Sequence, residues 1–294
     1  MKIFVYCSQL ASLIGLNKHK TWCEAIEEIW NKYDHIGYHN ALKRNNARSK
    51  IRKLILKQIT ADHPSIQTLI ESPAVATFKH SKEVAQTYLR SRKILRKTCH
   101  ENIGILQKSL RSNIYTKYGD ENEQNVFDYI NQTIIAIEHD NLFHSKKLLT
   151  YDEEYECFLG GRVDAVSQDH SKIIEIKNRI HRLFTSKNIP IHEKIQCMGY
   201  LALLPDSYEY ALLIECLTLK SGRKKVCQSK VSMDQDMWTN VLTKLSVVFA
   251  YLVSLLKDPH LQDTYIQTHR HQFSITRLIR EYQEEFLSKL DLSG

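Results

Sequence analysis

The chain has 294 residues, with 41 lysines and arginines against 33 acidic residues, a formal net charge of +8. That length can bury a sizeable core, and so modest a basic excess matters through its placement rather than its size. Seven cysteines, odd in number and scattered without a C-x-x-C pair, exclude a disulfide framework, a structural zinc or an iron–sulfur cluster and point to reduced thiols in an intracellular protein.

In chain order, the opening MKIFVYCSQLASLIGL carries one lysine and an apolar run. Ser8, Gln9 and Ser12 interrupt that run, which argues against a secretory signal. Apolar periodicity predicts helices over about 8–15, 21–33, 40–59, 80–111, 121–138, 192–204, 234–257 and 271–290. Strand patterns fall at about 147–159, 161–167, 172–178, 208–219 and 224–231. The apolar stretch Leu245 to Leu256 is too short to cross a membrane and suits a buried helix. A helical first part (1–117), a sheet-containing core (118–231) and closing helices (232–294) read as one domain of α/β or α+β class.

Basic charge gathers in two acid-free runs. Lys43, Arg44, Arg48, Lys50, Arg52, Lys53 and Lys57 form the first; Arg90, Arg92, Lys93, Arg96 and Lys97 form the second. Each fits a solvated helix face or a surface for a phosphate backbone, and neither contains aromatics for base stacking. Near the end, His269-Arg270-His271 reads as a solvated helix start or as further phosphate contacts.

The segment FLGGRVDAVSQDHSKIIEIKNR, Phe158 to Arg179, is where charge meets a buried pattern. Ser167 to Ser171 reads as a hairpin turn centred on Asp169 and His170, which sets Asp164 opposite Glu175. Strand alternation puts Glu175 and Lys177 on one face and Ile174 and Ile176 on the other. Two carboxylates on directly opposed residues repel unless a cation lies between them. A salt-bridged hairpin, with Lys177 neutralising one acid, accounts for the same residues. Upstream, Gly119 closes a predicted turn and Glu123 falls in the first turn of the next helix, where Asp120 and Glu123 also fit a capping box. Downstream, Gln196 and Tyr200 are four apart and share a helix face.

A helix glutamate, then G-x-V-D, E-I-K and Q-x-x-x-Y, in that order, resemble the PD-(D/E)XK nucleases. Within them the chain looks most like the lambda exonuclease/YqaJ viral recombinase group and its RecB-type relatives. CSQLASLIGLNKHK, Cys7 to Lys20, is similar to the S-x-x-A-x-x-x-G-x-N/S motif near the start of YqaJ-type proteins. The resemblance covers residues 7–20 and 118–204. It implies a restriction-endonuclease-like core and a metal-dependent deoxyribonuclease, acting 5′ to 3′ in recombination, repair or viral genome processing.

By the same resemblance, Asp164, Glu175 and the Ile176 carbonyl hold magnesium or manganese, two ions in all, with Glu123 binding directly or through water. Lys177 orients or activates the attacking water. Gln196 and Tyr200 serve the site or the nucleic acid, and Ser8 helps hold a terminal phosphate. The implied partners are linear duplex ends, a single-strand annealing protein and further copies of the chain in a ring trimer. Departures stand out: no upstream arginine precedes Ser8, Arg162 stands where a small hydroxyl residue is common, and residue 192 is histidine rather than tyrosine. Arg162 supplies the missing positive charge or pairs with an acid. An endonuclease of the same fold and a non-catalytic nucleic-acid-binding protein are the alternatives.

Overall fold

The alternation in KIFVY sets the first strand. Ile3 and Val5 are buried while Lys2 is exposed and Phe4 and Tyr6 are half-buried, the pattern of a strand with one covered face. In the computed structural model, residues 1–71, 78–98, 103–151, 154–270, 276–278, 280 and 290–291 are described. Strand β1 (Lys2–Tyr6) leads through a 3-10 turn into α1 (Leu10–Leu13), followed by α2 (Trp22–Tyr33), α3 (His35–Arg44), α4 (Arg52–Asp62), α5 (Pro64–Glu71), α6 (Ser81–Thr98) and α7 (Ile103–Thr133). Strands β2 (Ile137–Glu138), β3 (His144–Tyr151), β4 (Tyr155–Gly161), β5 (Ala165–Ser167) and β6 (Lys172–Asn178) come next. Then follow α8 (Ile191–Leu203), β7 (Tyr210–Thr218), β8 (Lys224–Val231), α9 (Gln235–Lys257), α10 (Pro259–Thr264) and β9 (Leu290–Asp291).

The strands make two mixed sheets, ordered β1-β4-β3-β9 and β2-β5-β6-β7-β8, so the fold is α+β. The inner face of the first sheet (Ile3, Val5, Cys157, Leu159) and one face of the second (Ile173, Ala211, Leu213, Val231) share a core with α1, α2, α8 and α9. The other face of the second sheet packs Ile174, Ile176 and Ile214 under Val126, Phe127 and Ile130 of α7. Helix α9 is long and apolar enough to cross a membrane, yet 61% of its most apolar window is buried inside the fold. It is a central core helix, as its apolar stretch predicts. A third cluster joins α5, α6 and α7 through Ile66, Ile70, Val84, Leu95, Leu106, Leu110 and Ile114. The six cysteines among the described residues are free thiols.

Several boundaries depart from expectation. The strand at Lys2–Tyr6 lies ahead of the first predicted element. The predicted strand over 147–159 is two strands of a hairpin, and the predicted helix over 40–59 breaks at Asn46, whose φ of 46° ends the helical path. The predicted closing helix over 271–290 lies largely outside the described residues.

The largest correction concerns Gly119. It closes no turn, and Asp120 caps no helix: both sit inside the continuous helix Ile103–Thr133. Leu110, Ile114, Tyr118, Asn122, Val126 and Ile130 form a buried stripe at helical spacing through that point. Burial along such a stripe outweighs the roughly 1 kcal/mol that an interior glycine costs a helix. A Cβ at Gly119 meets nothing within 4 Å. Gly119→Ala is therefore expected to raise stability by about 0.5–1 kcal/mol, read from urea unfolding; a loss would show that this helix is broken at 119.

Candidate metal and nucleic-acid site

The hairpin has the expected register. Ala165 pairs with Ile174 and Val166 with Ile173, and His170 turns the chain with a φ of 51°. Continued one residue, that register sets Asp164 across from Glu175. Strand β5 begins only at Ala165, so Asp164 uses the open edge of β6 instead of a ladder bond. Its Oδ2 accepts from the Ile176 amide at 2.7 Å. A strand residue sends N–H and C=O from the same edge, so the Ile176 carbonyl faces that edge too.

Glu175 is 2% exposed. It lies on the α8 side of the sheet, and its Oε1 contacts the Lys177 ammonium and accepts from Gln196 Nε2 at 2.8 Å. Its Oε2 is buried without a hydrogen-bond partner among the described residues. A buried carboxylate oxygen left unpaired costs more than an ordinary hydrogen bond returns. Burial first, and then the neighbouring Glu175 charge, push the Asp164 carboxyl up to about 8, against the pull of Lys177 and the Ile176 amide. Burial alone lowers the pKa of Lys177, but Glu175 and Asp164 outweigh it and hold the ammonium above its ordinary value. Lys177 is thus held as a cation beside the two acids, in a position to orient a water.

Glu123 sits on α7, three residues before Val126 of the packed stripe, and is exposed. Its charge adds a last, small part to the upward push on Asp164, and the side chain does not join Asp164 and Glu175 in one cluster. Among the described residues, no three His, Cys, Asp or Glu side chains form a ready-made metal cage. The donor set that does converge is Asp164, Glu175 and the Ile176 carbonyl, hard oxygens suited to magnesium or manganese. The unpaired Glu175 oxygen and the buried Asp164 carboxyl crowded by Glu175 both fit a divalent cation at this edge.

Helix α8 brings Gln196 and Tyr200 to the same place. Gln196 Nε2 lies 3.0 Å from the Tyr200 hydroxyl as well as bonding Glu175, and Tyr200 lines a neighbouring pocket of about 280 Å³. That pocket is also lined by Ser8 and Arg162, with Tyr6, Cys7, Phe143 and Gly161. Ser8, Arg162 and Tyr200 are far apart in sequence and meet here, one side chain away from Glu175. The meeting depends on close packing. A Cβ at Gly161 would lie 2.8 Å from the Tyr200 ring and 3.3 Å from Cys7 Sγ, and one at Gly199 would lie 2.9 Å from Leu10. Gly15, with φ of 74°, turns the chain after α1, where Leu16 N bonds Ala11 O at 2.7 Å; the opening motif thereby fixes the segment that holds Ser8.

Other residues that shape the site carry weaker signals in the sequence. Arg179 binds Glu193 of α8 through two bonds of 2.7 and 2.6 Å and also contacts Glu215 of β7. Both glutamates are buried, and the Phe184 amide takes the second Glu215 oxygen at 2.9 Å. This charged clasp ties α8, with Gln196 on it, to the end of β6. Its trace in the sequence is one arginine directly after the strand. On the α7 side, Arg111 lies over Tyr115, whose hydroxyl bonds His181 at 2.8 Å, and Arg182 lies over Phe184.

Of the basic runs, Lys43, Arg48, Lys50, Lys53, Lys57, Arg90, Lys93, Arg96 and Lys97 are exposed, whereas Arg44 pairs with Asp263 at 3.0 Å. Arg270 is neither a solvated helix start nor a phosphate contact. It is buried against Glu27, and His269 Nδ1 bonds the Tyr251 hydroxyl at 2.7 Å. Burying an unpaired guanidinium is prohibitive, so Glu27 dictates the position of Arg270.

No family model matches the chain, and no curated protein matches it. Among solved structures, the crystal structure of SSO0001 is similar to 70% of this chain and to 86% of its own, at 18% identity and a TM-score of 0.34. So distant a likeness says nothing about what this chain does.

Proposed function

We propose that the chain is a metal-dependent DNA nuclease of the PD-(D/E)XK type, working on duplex ends as an exonuclease. The observation that carries this reading is the opposition of Asp164 to buried Glu175, one oxygen of which has no partner among the described residues, beside a protonated lysine. In this reading Asp164, Glu175 and the Ile176 carbonyl would hold magnesium or manganese, two ions in all, with Glu123 binding directly or through water. Such ions, when bound, would supply positive charge to the phosphodiester being hydrolysed. Gln196 fixes the Glu175 carboxylate, and Lys177 orients the attacking water and offsets charge on the phosphate. The Arg179–Glu193–Glu215 clasp keeps α8 at its distance from the strand.

The neighbouring pocket supports action at ends. Its serine hydroxyl and arginine guanidinium suit a terminal phosphate, and the exposed lysines and arginines of α4 and α6 suit the duplex backbone. Recombination, repair or viral genome processing is the setting such an enzyme serves, with an annealing protein and ring assembly as further expectations of the same reading. The Lys177–Glu175 contact favours a second reading, a salt-bridged hairpin in a non-catalytic DNA-binding protein; magnesium binding in calorimetry separates the two.

The test is digestion of end-labelled linear duplex, with and without a 5′-phosphate, beside a closed circle, in magnesium. The linear phosphorylated duplex is expected to be degraded fastest and the circle to survive. Arg162→Ala is expected to slow the phosphorylated substrate roughly tenfold or more, the worth of a charged hydrogen bond, and to leave the unphosphorylated one unchanged. Nicking of the circle at a comparable rate would make the protein an endonuclease, and inertness on every substrate would refute the nuclease reading.

A further inference from the structure

The outer face of the first sheet carries a pattern that the metal site does not use. Its register lines up three rows of side chains on β1, β4 and β3: Tyr6, Gly160 and Ser145; Phe4, Phe158 and Lys147; Lys2, Glu156 and Thr150. Phe4 and Phe158 stack with centroids 5.3 Å apart. Phe143 comes in from the loop before β3 and lies 6.1 Å from both Phe4 and Tyr6. It rests where Gly160 has no side chain: a Cβ there would be 2.7 Å from its ring. The result is a continuous aromatic surface of four rings.

Cations flank it. Lys2 lies 5.2 Å from the centre of the Phe158 ring, and Lys32 lies 5.2 Å from that of Tyr6. Lys147 is exposed on β3 in the row of Phe4 and Phe158, and an acid on this face, Glu156, sits 3.8 Å from Lys147. Phe143 is 49% exposed and Leu142 67%. Their loop is nonetheless held, because Asp140 accepts from the Leu142 amide at 3.0 Å and meets His144 at 2.6 Å. The Phe143 ring is thus held in one position, packed on one side against Phe4 and Tyr6 and open to solvent on the other.

We infer that this face binds single-stranded DNA, with unpaired bases stacked on Phe143, Phe4 and Phe158 and phosphates drawn to Lys2, Lys32 and Lys147. Two features choose this occupant. Flat rings interleaved with lysines match alternating bases and phosphates, and only an unpaired base has a free face to stack. Moreover, Tyr6 and Phe143 belong both to this surface and to the pocket of Ser8 and Arg162, so a strand leaving the pocket runs directly onto the rings. The choice of nucleic acid rests on the nuclease reading above; the stacking surface itself does not.

The test is equilibrium binding of fluorescent oligothymidylate, about a dozen nucleotides long, and of a blunt duplex of equal length, both in EDTA to prevent cleavage. Phe4→Leu and Phe158→Leu, neither of which lines the pocket of Ser8 and Arg162, keep apolar bulk while removing the aromatic face, and thermal unfolding checks that they fold. Each is expected to weaken single-strand binding about tenfold, leave duplex binding unchanged, and be rescued by tyrosine at the same position. Wild-type indifference to oligothymidylate, leucine variants that bind it as wild type does, or equal losses on duplex and single strand would each overturn the inference. Magnesium-dependent hydrolysis is scored separately. Hydrolysis with no effect of the leucine variants sinks this surface alone, whereas stacking without hydrolysis upholds it and sinks the nuclease reading.

Discussion

Asp164→Asn and Glu175→Gln are each expected to lower magnesium-dependent hydrolysis of duplex DNA by more than about 100-fold, the loss that even a group orienting a metal ligand can produce. Both replacements preserve volume and remove one of the charges that hold the cation. Asp164→Asn is also expected to leave the metal-free protein as stable as the parent or more so, which separates a lost ligand from a lost fold. The reason lies in the Asp164 carboxyl, raised to about 8 by burial and by Glu175. Between the ordinary carboxylate range near 4 and that value, the folded chain binds a proton that the unfolded chain has released. Metal-free stability must therefore fall as pH rises through this window.

In Asp164→Asn that slope is expected to flatten, and its advantage over the parent to be greatest toward pH 8. Magnesium binding, which needs the ionised carboxylate, is expected to release a proton below pH 8, measurable as a buffer-dependent heat in calorimetry. Retained hydrolysis in either purified variant would remove these residues from the chemistry. A metal-free stability that rises from pH 5 to 8 would contradict the crowded pair of acids.

Glu27→Ala is expected to be the most destabilising single change in the chain. Glu27 is fully buried, and Arg270 Nε and Nη2 each donate to it at 2.8 Å. The Tyr38 hydroxyl and the Lys50 amide donate to the same carboxylate at 2.6 and 2.8 Å. Truncation strands a buried guanidinium and takes one acceptor from the Tyr38 hydroxyl and from the Lys50 amide. Breaking a buried pair from one side costs about 3–5 kcal/mol, so the midpoint of thermal unfolding should drop on the order of 10 °C. Glu27→Gln, which keeps an acceptor for Tyr38 and Lys50 but not the charge for Arg270, is expected to fall between the two. A Glu27→Ala protein within 1 kcal/mol or so of the parent would mean that this cluster does not form. Because Lys50 and Ser49 hang from the cluster, the same variant should also loosen the base of the first basic run and weaken duplex binding in EDTA.

Local pattern determined the hairpin. Alternation in Lys172–Asn178 and a polar turn at Asp169 and His170 set Asp164 across from Glu175, because strand periodicity and a short turn leave one register that buries the isoleucines. The same local rules marked α2, α8 and α9 and the strands β7 and β8 to within a residue or two. They failed at Gly119, where a weak helix residue is carried by an apolar stripe whose partners are distant in sequence, and at Lys2–Tyr6, whose two-residue alternation was short enough to pass unread. What no local rule holds is convergence. Gln196 and Tyr200 on α8, Ser8 after β1 and Arg162 after β4 approach one sheet edge only because two sheets share helix α8 and because Gly161 and Gly199 let backbones come close. The lone oxygen on Glu175, the double allegiance of Arg270 and Glu27, and the row of rings across three strands are likewise properties of packing between segments up to 243 residues apart. Residue types fixed which chemistry each segment can offer; burial, which depends on every other segment, decided which of those offers are joined.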